Sequence, residues 1–198
     1  MVSRAPAAVR QYGAAFRALI LFTLVLGLAY PLVLTGVSQV AFARQANGSV
    51  LDGGSSLLGQ SFTDADGNPL RQWFQPRPSA GGYDPSATGA SNLGPNSPDQ
   101  AKLVAERRAA VAEFDGVEEA DVAPDALTAS GSGLDPHISP EYARQQVRRV
   151  AEARGLPVDE VRALVAAHTQ GRILGFLGED RVNVVELNIA LQDLSEGR

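Results

Sequence analysis

From Ala18 to Val40 the chain reads ALILFTLVLGLAYPLVLTGVSQV, without one charged residue. A membrane span needs about 20 predominantly apolar residues. The stretch meets that length and leaves no polar stripe, so it is not an amphipathic helix lying on a surface. A soluble core helix is no better fit, because no other segment of the sequence is apolar enough to cover all of its sides. Pro31 removes one backbone hydrogen bond, and Gly27 and Gly36 loosen packing. Such residues are tolerated in spans when a neighbouring helix or a hydroxyl such as Thr35 resatisfies the backbone, so Pro31 points to partner helices. The competing reading is a cleaved signal peptide, since Ala41-Phe42-Ala43 has the small-x-small cleavage pattern. Against it, a signal core is about 7–15 residues and a leader about 15–30, both shorter than what is present. The expectation is an uncleaved anchor over 18–40.

Charge then sets orientation. Arg4, Arg10 and Arg17 precede the span with no acidic residue, and only Arg44 follows closely. By the positive-inside rule, residues 1–17 form a cytoplasmic tail, and residues 41–198 form an extracytoplasmic domain of a plasma-membrane protein. Of the 17 basic residues in the chain, 14 face all 22 acidic ones beyond residue 40, a net charge of −8. Nucleic-acid binding, driven by phosphate neutralisation, is therefore excluded as a function. The chain has no cysteine, which removes disulfides, thiolate metal sites and cysteine nucleophiles.

Behind the anchor, residues 45–96 are dense in turn formers: Asn47-Gly48, Asp52-Gly53-Gly54, Asp66-Gly67-Asn68-Pro69, Gly81-Gly82, Asp84-Pro85 and Gly94-Pro95-Asn96. Between them, 57–63 and 70–74 read as strands. Helices follow. Ser97-Pro98-Asp99 is a cap, a proline at the first helical position and a first-turn acid, opening a helix to Phe114. Ser139-Pro140-Glu141 repeats the signal. Its helix turns Ala143, Val147, Val150 and Ala151 inward and carries Arg144 and Arg148 as an outer ridge, with Gly155 as its terminator. Pro157 opens a third helix, with Val161, Leu164 and Val165 inward. Residues 182–187 alternate like a strand, and 188–194 close as a short helix. The expected fold is α+β: one transmembrane helix followed by a single mixed α/β domain.

The chemistry available is limited. The sole lysine, Lys102, follows no glycine-rich turn, so there is no P-loop, and no Asp-Lys dipeptide of the aspartyl-phosphate type occurs. His137 and His168 are the only histidines and lack metal-ligand spacing; His168 reads as a structural residue on an inner helix face. Residues 128–140, TASGSGLDPHISP, gather Ser130, Asp135 and His137, the residue types of a hydrolytic triad. The segment is not Gly-x-Ser-x-Gly and reads more simply as a self-bonded loop. Residues 86–98, SATGASNLGPNSP, offer backbone amides to a phosphate but no following lysine. Trp73, Phe74, Arg77 and Tyr83 in RQWFQPRPSAGGY are types enriched at protein interfaces, and half of them fit a core equally well.

Taken in order, TGVSQVAFARQANGS (35–49), GQSFT (59–63), RPSA (77–80), YDP (83–85), SNLGP (91–95), TASGSGLDPHISP and GEDRVNVVELNIAL (178–191) resemble the C subunit of the bacterial Kdp potassium-transporting P-type ATPase. The resemblance implies a non-enzymatic accessory subunit anchored by one helix. Its partners would be a channel-like potassium-translocating subunit and a P-type ATPase subunit. It implies no tightly bound cofactor, potassium as the ion the complex transports, and a catalytic chaperone that raises ATP affinity of the hydrolysing subunit. A nucleotide-contacting signature of the family corresponds here to Thr88-Gly89-Ala90-Ser91-Asn92, which departs from it at Thr88 and Ala90, so Thr88, Gly89, Ser91 and Asn92 are the nucleotide candidates. The interface candidates are Trp73, Phe74, Arg77, Tyr83 and Pro31. The alternative from another class is a membrane-anchored extracytoplasmic hydrolase using Ser130, Asp135 and His137.

The arginine flank makes a direct prediction. Alkaline phosphatase fused at the C-terminus should be active, and a cytoplasmic reporter at the same place silent; the reverse pattern overturns the orientation.

Overall fold

A computed structural model describes residues 6–197; Arg4, one of the flanking arginines, lies outside the described residues. The chain divides into two compact units, residues 1–49 and 50–198.

The first unit is helical. Helix α1 (Ala7–Phe22) passes into a π-helical segment (Thr23–Ala29), then α2 (Tyr30–Ala41) and a single turn, α3 (Ala43–Ala46). Ala7–Ala41 together form one helix long and apolar enough to cross a membrane, with none of its most apolar window buried. The helix therefore extends well before the uncharged stretch. Pro31 does not break it. A proline ring collides with the carbonyl four residues back and withholds an amide. The wider π turn just before it absorbs both defects, and the Tyr30 amide reaches back five residues to the Val25 carbonyl.

The second unit is α+β. Strands β1 (Val50–Leu51) and β2 (Gly54–Ser55) form a small hairpin. A long loop region leads to α4 (Pro98–Asp115), β3 (His137–Ile138), α5 (Pro140–Arg154), α6 (Val158–Ala167), β4 (Thr169–Gln170), β5 (Arg181–Asn183) and α7 (Val184–Glu196). β5 is central in an antiparallel sheet of order β3-β5-β4. The caps act as the sequence indicates: Ser97 and Ser139 accept the Gln100 and Tyr142 amides, and Gly155 takes the left-handed conformation at φ +66°. Ala143, Val147, Val150 and Ala151 of α5 join Val161 and Val165 of α6 and Leu187 and Leu191 of α7 in one core. Burying a Val or Leu side chain contributes about 1.5–3 kcal/mol, so this cluster dominates the stability of the unit.

Two expected strands are not strands. Residues 57–63 and 70–74 form no ladder: next to an isolated bridge from Thr63 to Pro69, the Leu70 amide donates to the Phe62 carbonyl at 3.0 Å. Residues 57–63 are held by a loop bond instead, the Gly59 amide to the Leu134 carbonyl at 2.8 Å. Gly59 itself is enforced by crowding, because a Cβ there would lie 2.5 Å from the Tyr83 ring and 2.8 Å from the Asp135 carbonyl oxygen. Residues 71–75 do run beside other elements with paired backbone groups, but side chains of α5 and α7 do the pairing. The Phe74 amide donates to Asn188 Oδ1 (2.9 Å) and its carbonyl accepts from Asn188 Nδ2 (2.9 Å). Gln75 has the same reciprocal arrangement with Gln146, at 2.6 and 3.0 Å. The carbonyls of Arg71 and Trp73 accept from Arg149 Nη1 at 2.5 and 2.9 Å. At the other end of the domain, β5 stops at Asn183, whose side chain caps α7 by accepting the Val185 and Glu186 amides. The expected strand 182–187 is therefore short and the final helix long.

Arg149 is 1 % exposed and Asp115 6 %. Their contact, Nε to Oδ1 at 2.7 Å, is completed by Arg149 Nη2 to Gln146 Oε1 and by Gln145 Nε2 to Asp115 Oδ2, both 2.7 Å. Removing one partner of a buried pair strands the other charge, at about 3–5 kcal/mol. Asp115→Asn and Arg149→Met should each lower unfolding stability by roughly that amount. The double variant Asp115→Leu/Arg149→Met should recover part of the loss. Denaturant unfolding followed by emission of the single tryptophan, Trp73, reads this directly.

Candidate functional site

The turn-rich segments, joined by bonds between residues as much as 54 apart in sequence, are laced into one loop platform beside β3. The Ser130 amide donates to the Pro78 carbonyl (3.1 Å), and the Gly89 amide to the Ser132 carbonyl (2.9 Å). Ser79 Oγ donates to the Gly133 carbonyl (2.7 Å) and accepts the Gly81 and Tyr83 amides. Gly133 is at φ +72°, and a Cβ there would stand 2.8 Å from the Gly89 carbonyl oxygen. Only glycine combines that conformation with that approach.

A charged cluster occupies this platform. Arg77 Nη1 lies 3.5 Å from Asp135 Oδ2, and His137 Nδ1 lies 3.1 Å from Asp135 Oδ1. The His137 amide also donates to Asp135 Oδ1 at 3.0 Å. Tyr83, at φ +63°, donates its hydroxyl to the Arg77 carbonyl at 2.6 Å. Burial pushes the Asp135 carboxyl up, but hydrogen bonds from the His137 side chain and amide, with the charges of His137 and Arg77, outweigh it. The carboxyl therefore titrates below the ordinary range. Burial, reinforced by the Asp135 charge, pushes the Tyr83 phenol well above its usual value, so it stays a neutral donor. Arg77, Asp135 and His137 open onto a cleft of ≈ 400 Å³ that Asp125, Glu179, Asp180 and Arg181 also line.

The candidate residues sort as follows. Asp135 and His137 are paired, whereas Ser130 is buried at 2 % exposure and its hydroxyl has no hydrogen-bond partner. No Ser–His bond of a triad is therefore formed. Thr88, Gly89, Ser91 and Asn92 are exposed. Thr88 borders a second cleft with Leu57, Leu58 and Ser132, and the Gly89 amide is already engaged by Ser132. Phe74 is fully buried. Trp73 and Tyr83 are half-buried; the Arg154 guanidinium stacks 4.1 Å from the Trp73 ring centroid, and Phe62 lies 5.9 Å from it. Pro31 is exposed along the apolar helix. His168 ends α6, its Nδ1 2.9 Å from the Leu164 carbonyl. Among the described residues there is no cluster of three or more His, Asp or Glu suited to a metal.

Sequence reasoning missed Arg149, Gln146 and Asn188, whose signal was available: polar residues at positions that fall on the inner faces of α5 and α7.

Comparison with known proteins settles the relationship. The profile described as KdpC, K+-transporting ATPase, c chain, matches residues 12–193. The chain belongs to this family. It is 60 % identical over 190 residues to the potassium-transporting ATPase KdpC subunit of Kineococcus radiotolerans, covering 92 % of this chain and 93 % of that one. It is 50 % identical over 184 residues to the subunits of the same name from Beijerinckia indica (89 % and 90 % covered) and Citrifermentans bemidjiense (88 % and 92 %). The segments that cross-link the platform, 59–63, 77–85 and 128–140, all lie within the matched region.

Asp135 gives a signed pH prediction. Its folded-state pKa is depressed, so its contribution is fully present above the unfolded value of about 3.9 and disappears as pH falls through the lower folded value. Asp135→Asn should be less stable than the parent at pH 7. The two unfolding midpoints should converge as the pH is taken below about 3.9 and through the lower folded-state value.

Proposed function

We propose that the chain is a non-catalytic accessory subunit of an ATP-driven potassium uptake complex. It is held in the plasma membrane by the Ala7–Ala41 helix, with its N-terminus in the cytoplasm and the 50–198 domain outside. Its partners are a channel-like potassium-translocating subunit and a P-type ATPase subunit. The observation that carries this reading is the family match across residues 12–193, which spans both the apolar helix and the loop platform.

With the domain outside, ATP and the Thr88-to-Asn92 loop occupy opposite sides of the membrane. The effect on ATP affinity then runs through linkage: a subunit that binds the nucleotide-competent state of the complex more tightly raises ATP affinity by the same factor. The domain also brings its net charge of −9 (13 basic against 22 acidic residues over 50–198) to the face from which potassium is drawn, and attracts cations within a Debye length of about 8 Å. Trp73, Arg77 and Tyr83 are the domain residues proposed to meet partner subunits, and Pro31 marks the helix face that packs against other spans. Phe74 supports them from the core.

Detergent extraction and affinity purification of the full chain should recover a polytopic channel-like subunit and a P-type ATPase. Recovery of the chain alone at several expression ratios overturns the reading. Ser130→Ala/His137→Ala should leave growth at micromolar potassium intact, whereas loss of growth with the complex still assembled would point to chemistry at this loop.

A further inference from the structure

The hairpin that joins β4 to β5 leaves the body of the domain. Thr169 pairs with Val182 and Gln170 with Arg181, and the two arms meet once more at Ile173 and Leu177. Every residue from Gln170 to Asp180 is exposed. Loops in water are ordinarily built from polar turn formers. This one carries Ile173, Leu174, Phe176 and Leu177 at 58, 80, 67 and 49 % exposure. Residues 173–178 read Ile-Leu-Gly-Phe-Leu-Gly, with no polar side chain. Single exposed apolar residues need no explanation, but a contiguous group at a projecting tip marks an interaction site.

We propose that this tip is a lipid-contacting element, which seats Ile173, Leu174, Phe176 and Leu177 at the acyl–headgroup boundary of the bilayer that holds the chain's own helix. The proposal rests on the anchored reading of that helix and is independent of which subunits accompany it. Three observations favour lipid. First, the tip satisfies its own backbone. The Ile173 and Leu177 amides each donate to the other's carbonyl at 3.0 Å, the Gly175 amide to Arg172 (3.1 Å) and the Phe176 amide to Ile173 (3.3 Å). An apolar phase penalises unpaired amides, and of those from 173 to 177 only that of Leu174 has no such bond. Second, three residues, 47–49, connect the end of α3 to β1. Fully extended they span about 10 Å, so the domain cannot diffuse from the bilayer, and insertion is an intramolecular event at high effective concentration. Third, Arg172 on one arm and Arg181 on the other flank the apolar tip with guanidinium groups suited to phosphate headgroups, while Glu179 and Asp180 line the cleft with Arg77 and His137. A second copy of the chain fits poorly, because four side chains cannot supply the ~800 Å² per partner of a stable dimer.

The absence of cysteine makes the test clean. The full-length Leu174→Cys chain, labelled with an NBD fluorophore, is reconstituted alone into phosphatidylethanolamine/phosphatidylglycerol vesicles. The expected result is blue-shifted emission, quenched at least twofold by shallow doxyl lipids. A label at Arg144→Cys, on the exposed side of α5, should keep water-like emission and escape quenching. Adding Phe176→Asp and Leu177→Asp to the Leu174→Cys chain should abolish the quenching while Trp73 emission stays unchanged. Water-like emission at position 174 in vesicles overturns the proposal. So does a blue shift that appears only with co-purified subunits and is insensitive to doxyl lipids, which would assign the tip to a protein partner. Failure of subunit recovery leaves this readout untouched, so the two readings fail separately.

Discussion

The guanidinium of Arg149 organises the unit of residues 50–198 more than any apolar contact does. All three of its nitrogens are engaged, by Asp115, by the carbonyls of Arg71 and Trp73, and by Gln146. Its face lies 4.4 Å from the Phe114 ring centroid. Desolvation lowers its affinity for a proton and Asp115 offsets that only in part, which keeps the charge in a place where it would otherwise be unstable. An isosteric apolar core would serve stability equally well. What an apolar residue could not do is fix the path of residues 71–75, which have no strand partner and no helix of their own. One arginine on α5 joins α4, α5 and that segment at a single point.

The same logic runs through the loop platform. Residues 56–96 contain almost no regular structure, and their backbone groups still find partners, through Ser79, Gly89, Ser130, Asn183 and the carbonyls they bond. Buried polar groups left unpaired cost about 1–3 kcal/mol each, so a domain with this much loop persists only when most of its backbone donors are answered. The ordered surface that results holds Arg77, Tyr83, Asp135 and His137 at fixed distances without a nucleophile among them. A subunit whose work is to bind other subunits needs such a surface more than it needs a reactive group.

In the membrane-spanning helix the corresponding problem is Pro31. The π-helical turn at Thr23–Ala29 accommodates it, and the span keeps an uninterrupted apolar exterior. A widened turn also leaves an irregular surface, which suits close packing against other helices.

Much of the arrangement was legible from residues alone. The long apolar helix followed from length and absence of charge. The starts of α4 and α5 followed from Ser-Pro-Asp and Ser-Pro-Glu, because capping and the proline at the first helical position are local effects. The inward faces of α5 and α6 followed from helical periodicity. What sequence could not decide were the partners of groups that bond across long separations. Residues 70–74 carry the pattern of a strand, yet the backbone partners of Arg71, Trp73 and Phe74 are the side chains of Arg149 and Asn188, more than 70 positions away. A strand's pattern reports that backbone groups will be paired, not by whom. Likewise, Asp135 and His137 are neighbours in sequence and stay together, while Arg77 reaches them only because Gly59, Gly133 and Ser79 allow three loops to close on one another. Local propensity is encoded within a few residues; the meeting of distant polar groups is settled only when the chain has packed.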